Sequence, residues 1–192
     1  MNAIAAASSR LPIGRRFDRW LLDRVRRLRG PAELPLTLEY RHIYVMPTRF
    51  GAWFGVLLAL MAIGGLNFNN NMTLLLVFVL GSIALLTTLL AYRNLVGITV
   101  NAILAKPVFA GESATFHVLL KNPEERHRFA VQAIGPEALD CSDIEPQNTR
   151  RLRLEQQASH RGWLEMEPFR IENRFPLGLF RAWSVVIPKA RC

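Results

Sequence analysis

The chain has 192 residues, of which 51% are hydrophobic, and a formal net charge of +9. The first fifty residues hold ten Arg and four acidic residues, whereas residues 50–92 hold no charged residue. A basic segment beside such an apolar stretch is typical of the cytosolic flank of a membrane span. Membrane lipid is therefore the expected partner, and nucleic-acid binding by the Arg-rich segment ranks last. Two widely spaced cysteines, Cys141 and Cys192, make neither a disulfide framework nor the spacing of a zinc motif.

The N-terminal arm, residues 1–47, is predicted to contain a basic amphipathic helix. Its apolar residues recur at helical spacing on one face: Phe17, Trp20, Leu21, Val25 and Leu28. Gly30-Pro31 ends the pattern. Such a helix is expected to lie on the membrane surface, and packing against a partner or the soluble domain is the alternative. The Pro-containing segment 31–47 is predicted to be extended.

Two transmembrane helices are predicted within residues 48–93, over residues 50–66 and 72–92. One helix over residues 50–92 would be about 64 Å long, about twice the thickness of a bilayer core. Gly64-Gly65 and four Asn within residues 67–71 mark the turn between the two spans.

The flanks of the hairpin predict its orientation. Arginines precede the first span and follow the second, whereas the turn is uncharged, so both termini are predicted to be cytosolic. The residues expected at the membrane interface are Trp20, Arg49, Trp53, Tyr92 and Arg93.

Residues 94–192 change to an alternating apolar pattern with frequent turn residues. Strand-like runs occur near residues 96–100, 115–120, 129–131, 152–154, 163–171 and 183–187. Six or seven short strands in about a hundred residues predict an immunoglobulin-like β-sandwich. The expected fold is an α+β membrane protein with an N-terminal amphipathic helix, a transmembrane hairpin and this sandwich.

Three pairs of sequence stretches carry a family resemblance. They are Thr48-Arg49-Phe50-Gly51 with Asn69-Asn70-Asn71, Arg93-Asn94-Leu95-Val96-Gly97 with Val108-Phe109-Ala110-Gly111-Glu112, and Arg161-Gly162-Trp163 with Arg174-Phe175-Pro176-Leu177-Gly178-Leu179-Phe180-Arg181-Ala182-Trp183.

Over roughly residues 41–188 the chain resembles the bacterial membrane proteins of the domain-of-unknown-function 58 family. The resemblance implies an anchor hairpin in the bacterial inner membrane, a sandwich and then a von Willebrand factor A-like domain. It also implies a gene neighbourhood with MoxR-type AAA ATPases. The A-like domain and its metal ligands have no counterpart in this chain, so truncation is expected.

The sequence contains no catalytic, cofactor-binding or metal-binding motif. The four histidines lack metal-ligand spacing, Glu165 and Glu167 are expected on one solvated strand face, and residues 124–128 are expected at a hairpin tip. A specialised turn is one interpretation of residues 174–183. The other is partner docking by Arg174, Phe175, Pro176, Leu177, Gly178, Leu179, Phe180, Arg181 and Trp183.

The expected function is a membrane-anchored, non-enzymatic scaffold that presents a cytosolic sandwich to a MoxR-type AAA ATPase system. Homo- or hetero-oligomers through the hairpin are also considered. The alternative function is the anchor and accessory part of a membrane-associated enzyme whose active domain lies beyond residue 192.

Overall fold

The structure is a computed structural model that describes residues 34–135 and 137–192. The predicted amphipathic helix and the interface residue Trp20 lie outside the described residues. Within them, the chain forms a two-helix hairpin and two antiparallel β-sheets.

The hairpin consists of α1 (Arg49–Asn67) and α2 (Asn71–Leu95), which confirms the two predicted helices and the short turn between them. Asn70 caps α2, because its side-chain oxygen accepts hydrogen bonds from the backbone N–H groups of Met72 and Thr73 at 3.1 and 3.2 Å. Asn69 adopts the left-handed conformation with φ 51°, which asparagine tolerates better than most residues. Both helices are long and apolar enough to cross a membrane. Only 6% of the most apolar 18-residue segment of α1, and 11% of that of α2, is buried.

Nine strands are present in the described residues. They are β1 (Leu36–Thr37), β2 (Tyr44–Pro47), β3 (Thr99–Ala105), β4 (Ser113–Lys121), β5 (Arg128–Ile134), β6 (Leu139–Ile144), β7 (Thr149–Gln157), β8 (Phe169–Asn173) and β9 (Phe180–Val186). The four-stranded sheet has the order β1-β3-β4-β7, and the five-stranded sheet has the order β2-β9-β8-β5-β6. The two sheets form a sandwich, as predicted for the region after the hairpin.

The core between the sheets follows from strand alternation. In β4, every second residue from Ala114 to Leu120 is at most 1% exposed. The five-stranded sheet contributes buried residues such as Phe169 and Ile171. The end of α2 joins the same core through Ala91 and Leu95, which are 1% and 0% exposed.

Residues 34–47, the described part of the segment that was predicted to be extended, contribute one short strand to each sheet. β1 pairs with β3, and β2 pairs with β9 from Tyr44↔Trp183 to Pro47↔Phe180. A 3-10 helix, Tyr40–His42, lies between β1 and β2. The sandwich is therefore built from residues on both sides of the hairpin.

The strand predicted over residues 163–171 is wrong in its first half. Regular pairing begins at Phe169, and Trp163 is 74% exposed. The alternation upstream reflects an irregular pairing in which Leu164 and Cys192 exchange backbone hydrogen bonds of 2.9 Å. Glu165 and Glu167 consequently lie outside a regular strand, and both are exposed.

Candidate functional site

The hairpin and the sandwich meet at one end of the sandwich, which we call the base. It comprises Thr48, the α2–β3 connection (residues 96–98), the β4–β5 connection (residues 122–127) and the β8–β9 turn (residues 174–179). The polar contacts between the base and the two helix ends form the candidate site.

Thr48 connects the start of α1 to the β8–β9 turn. Its hydroxyl donates to the carbonyl of Gly178 at 2.6 Å and to that of Leu179 at 3.1 Å. Its backbone N–H donates to the carbonyl of Leu179 at 2.9 Å. The same hydroxyl accepts a hydrogen bond from the N–H of Gly51 at 3.1 Å, which makes Thr48 the N-cap of α1. The Thr48 side chain thus caps the start of α1 and also binds the β8–β9 turn.

Gly51 allows this close approach between helix and turn. A Cβ atom at this position would lie 1.9 Å from the carbonyl oxygen of Leu179 and 2.8 Å from its carbonyl carbon. A glycine is needed here because the backbone of the turn occupies the place of a side chain. Gly55, one turn later in the same helix, has open space around it.

Arg128 anchors the other end of the hairpin. Its side chain is fully buried, and its guanidinium donates to the carbonyls of Arg93 and Val96, the latter at 2.6 Å. These carbonyls lie at the C-terminal end of α2, where backbone acceptors lack helical partners and the helix dipole favours a cation. Residues 124–128 were expected at a hairpin tip. This expectation is wrong, because β4 and β5 belong to different sheets and Arg128, the first residue of β5, binds the end of α2.

The residues around Arg128 balance its charge and leave space for its ion pair. Glu124 forms an ion pair with its Nη2 at 2.9 Å, and Asn122 accepts from its Nε at 3.4 Å. Desolvation by burial lowers the pKa of Arg128, and Glu124 opposes this shift. Gly97 has φ 83°, and a Cβ atom there would lie 2.7 Å from the Glu124 carboxylate.

Two asparagines fix the last turns of α2 to the five-stranded sheet. The Asn94 amide donates to the carbonyl of Phe129 at 2.7 Å and accepts from its N–H at 3.1 Å, so it pairs like a strand residue. Asn173 is fully buried; its amide donates to the carbonyl of Ala91 at 3.3 Å and accepts from the N–H of Phe175 at 2.9 Å. We call the contacts of Thr48, Arg128 and these two asparagines the junction.

A second charged cluster lies beside the junction on the outer face of the five-stranded sheet. Glu172 is fully buried and faces three arginines, with N–O distances of 3.0 Å to Arg170, 2.6 Å to Arg174 and 3.9 Å to Arg181. A carboxylate this deep requires such compensation. Two of the predicted docking residues, Arg174 and Arg181, therefore meet an acidic group within their own chain.

The remaining residues proposed for docking take different positions. Leu179 and Trp183 are 3% and 2% exposed. Phe175 stacks on Phe129 with ring centroids 4.9 Å apart, and Pro176, Gly178 and Phe180 are partly buried. Among the nine residues, Leu177 alone is exposed, at 55%. Most of the run thus forms a specialised turn, whereas a docking role remains a prediction.

The residues predicted at the membrane interface also differ in their exposure. Arg49, Trp53 and Arg93 are exposed, with Trp53 at 72%. Tyr92 is partly buried, packs against the core and lies 6.0 Å from the Tyr40 ring. Their contact with lipid remains a prediction.

Sequence reasoning missed the burial of Arg128 and Glu172. Each stands among other charged residues, so neither interrupts an apolar run. Strand periodicity gives no signal for Glu172, because apolar and polar residues alternate from Phe169 to Glu172 and this pattern predicts a solvated side chain.

Neither the family models, nor the curated proteins, nor the solved structures with which the chain was compared gave a match. Within residues 34–135 and 137–192, no group of three or more His, Cys, Asp or Glu side chains is placed to hold a metal ion.

Proposed function

We propose that this protein is a membrane-anchored scaffold whose hairpin crosses a lipid bilayer and whose sandwich is held rigidly against the membrane. The observation that carries the proposal is the combination of an almost uncovered apolar hairpin with a hydrogen-bonded junction at both of its ends. A flexible tether would need the apolar helices alone. The junction adds fixed orientation, which is what a scaffold that presents a surface requires.

The dimensions support this proposal. α1 has 19 residues and α2 has 25, which correspond to about 28 and 37 Å at 1.5 Å per residue. A bilayer core is about 30 Å thick. α1 is slightly shorter than this thickness but lies within the range of about 17–25 residues that span a bilayer. The additional length of α2 matches the turns that pack into the sandwich through Ala91, Asn94 and Leu95.

The sandwich is proposed to be immunoglobulin-like. Its seven strands after the hairpin have the orders β3-β4-β7 and β6-β5-β8-β9. These orders correspond to strands A-B-E and C′-C-F-G of an immunoglobulin-type sandwich whose fourth strand has moved to the opposite sheet. β1 and β2 then extend each sheet by one strand.

Membership of the domain-of-unknown-function 58 family is part of the same proposal. The motif stretches that carry the resemblance supply junction residues, namely Thr48, Gly51, Asn94, Gly178 and Leu179. On that resemblance, the partner is a MoxR-type AAA ATPase at the cytosolic face of a bacterial inner membrane. Homo- or hetero-oligomers through the hairpin are a separate part of the proposal. Photo-crosslinking in native membranes, followed by mass spectrometry, tests for the ATPase, and recovery of crosslinked hairpins alone counts against it.

Cys141 provides the experiment for anchoring and orientation. It is exposed on β6, far from the hairpin in sequence, and Cys192 can be replaced by Ser to leave one thiol. The protein is expected in the membrane fraction after alkaline carbonate washing. A membrane-impermeant maleimide is expected to label Cys141 in inside-out vesicles and not in intact spheroplasts. Partial desolvation and the neighbouring Asp143 raise the pKa of the Cys141 thiol, so labelling is done at mildly alkaline pH.

The Cys141→Ser variant is the control for background labelling. Extraction by carbonate contradicts the membrane anchor. Labelling of Cys141 in intact spheroplasts would be compatible with the membrane anchor. It would contradict the cytosolic placement of the sandwich, and with it the ATPase partner.

A further inference from the structure

The exposed leucine of the β8–β9 turn lies beside the first turn of α1. Leu177 precedes Gly178 and Leu179, whose carbonyls accept hydrogen bonds from Thr48. Consecutive Cα atoms are about 3.8 Å apart, so Leu177 is held close to the helix start. Because α1 needs nearly its full length to cross a bilayer core, this level corresponds to the edge of the hydrocarbon layer.

A row of three rings continues from this turn toward the end of α2. The rings of His127 and Phe129 are stacked with centroids 5.9 Å apart, and those of Phe129 and Phe175 are 4.9 Å apart. Phe129 is 40% exposed, and its backbone is paired with Asn94 in the last turn of α2. α2 exceeds α1 by six residues, or about 9 Å. If the start of α1 lies at the edge of the hydrocarbon layer, the last turn of α2 and the ring row beside it lie about 9 Å farther out, at the level of the lipid headgroups.

An apolar residue of the sandwich also borders the hairpin. Phe180, the first residue of β9, lines an open groove together with hairpin residues that include Leu58, Val77 and Leu85. The base of the sandwich shares its apolar surface with the membrane-facing surface of the hairpin, since Phe50 and Trp53 beside it are 66% and 72% exposed.

We propose that the β8–β9 turn and the ring row of His127, Phe129 and Phe175 form a second, non-helical contact with the phospholipid bilayer. Leu177 enters the edge of the hydrocarbon layer, and the rings lie among the headgroups, where aromatic side chains are favoured. Arg93, which is exposed at the end of α2, faces the lipid phosphates. This inference rests on the proposed function, because it requires that the hairpin spans the bilayer.

Fluorescence quenching with site-specific labels tests the contact. In a Cys141→Ser, Cys192→Ser background, single cysteines at Leu177, Leu139 and Val79 receive a polarity-sensitive fluorophore. Leu177 and Leu139 are 55% and 50% exposed and lie at opposite ends of the sandwich, and Val79 is 48% exposed within α2. The full chain is reconstituted in vesicles of phosphatidylethanolamine with a minority of phosphatidylglycerol. Quenchers are attached to the acyl chains or dissolved as iodide.

The label at Leu177 is expected to be quenched severalfold more by the acyl-chain quencher than the label at Leu139, and to be shielded from iodide like the label at Val79. If Leu177 behaves like Leu139 while Val79 is quenched from the acyl chains, the second contact is wrong and the membrane anchor stands. If Val79 is also insensitive to the acyl-chain quencher, the proposed anchor is wrong as well.

A near-isosteric photoreactive leucine gives a second measurement that leaves the turn unaltered. It is incorporated throughout the wild-type chain, and lipid adducts are mapped by mass spectrometry after illumination in the same vesicles. A lipid adduct is expected at Leu177 and none at Leu139. Adducts at hairpin leucines without one at Leu177 overturn the contact.

Discussion

The Gly51→Ala substitution places one methyl group against the carbonyl of Leu179. The new Cβ atom would lie 1.9 Å from that oxygen, so either the helix or the β8–β9 turn must move. The movement lengthens the hydrogen bonds by which Thr48 holds the carbonyls of Gly178 and Leu179. Gly55→Ala is the matched control, since it makes the same chemical change in the same helix with open space around it.

The expected magnitude follows from three contributions. Overpacking at a tight contact costs about 1–3 kcal/mol, and two weakened hydrogen bonds cost about 1 kcal/mol each. Alanine recovers about 1 kcal/mol of helix propensity relative to glycine. The free energy of unfolding should therefore fall by about 3 kcal/mol for Gly51→Ala, whereas Gly55→Ala should be neutral or slightly stabilising.

Thermal unfolding in mild detergent, followed by the circular dichroism of the sheets, measures the difference. For a chain of this length, a loss of about 3 kcal/mol lowers the midpoint by about 6–12 °C. Equal midpoints for the two variants would show that the contact between α1 and the turn contributes no stability, and the reasoning behind the junction would be refuted.

Three other predictions concern buried or shielded charges, each measured by the same unfolding assay. Arg128→Met leaves the carbonyls at the end of α2 without donors and should lower the free energy of unfolding by about 3–4 kcal/mol. Arg126→Met, on the exposed side of Glu124, is the control and should change it by less than about 0.5 kcal/mol. Similar losses in the two variants would contradict the anchoring role of Arg128. Glu172→Gln removes the carboxylate charge that three arginines share and should cost about 2–3 kcal/mol, with partial solvent screening included. Glu145→Gln, in an exposed pair, should cost less than about 1 kcal/mol, and an equal effect would argue against the Glu172 cluster. Desolvation and neighbouring basic side chains lower the pKa of His117 below 6.5, so the unfolded chain takes up a proton more readily than the folded one. The contribution of this histidine to the free energy of unfolding should therefore be fully present above pH 6.5 and be lost as the pH falls through the lowered pKa. An unchanged pH profile of stability in His117→Asn would exclude this histidine as the cause.

The hairpin was predictable because its signal is collective. No charged residue interrupts residues 50–92, and the Asn-rich turn divides them at a length that suits two helices. Asn70 also caps the second helix with its side chain, so the residues that break the apolar run also start the next element. Local chemistry and helix length agree in this part of the chain.

The edge strand β6 was not predictable in the same way. β6 holds Asp140, Ser142 and Asp143, a composition that does not resemble a strand. Its aspartates accept hydrogen bonds from backbone N–H groups of other strands, at 2.6 Å from Ala130 and 2.8 Å from Arg153. Partners far along the chain therefore determine the role of these residues, and no local pattern contains that information.

The candidate site shows the same limit. Sequence reasoning selected residues 174–183 as unusual and left two interpretations open, a specialised turn and a docking surface. Which side chains of this run point inward depends on Gly51, Asn173 and Glu172, and these contacts exist only after α1 and β8 are in place. The burial of Arg128 likewise requires the end of α2.

The pairing of β2 with β9 also governs the order of assembly. Thr48 and Gly178 are separated by 130 positions in the chain, yet they are joined by a hydrogen bond. Contacts between such distant residues form late, because the loop between them must first be ordered. The hairpin, made of local contacts, is complete long before β9 leaves the ribosome. Under the proposed membrane anchor, insertion of the helices should thus precede closure of the sandwich, and the hydrogen bonds of Thr48 to the β8–β9 turn should form last.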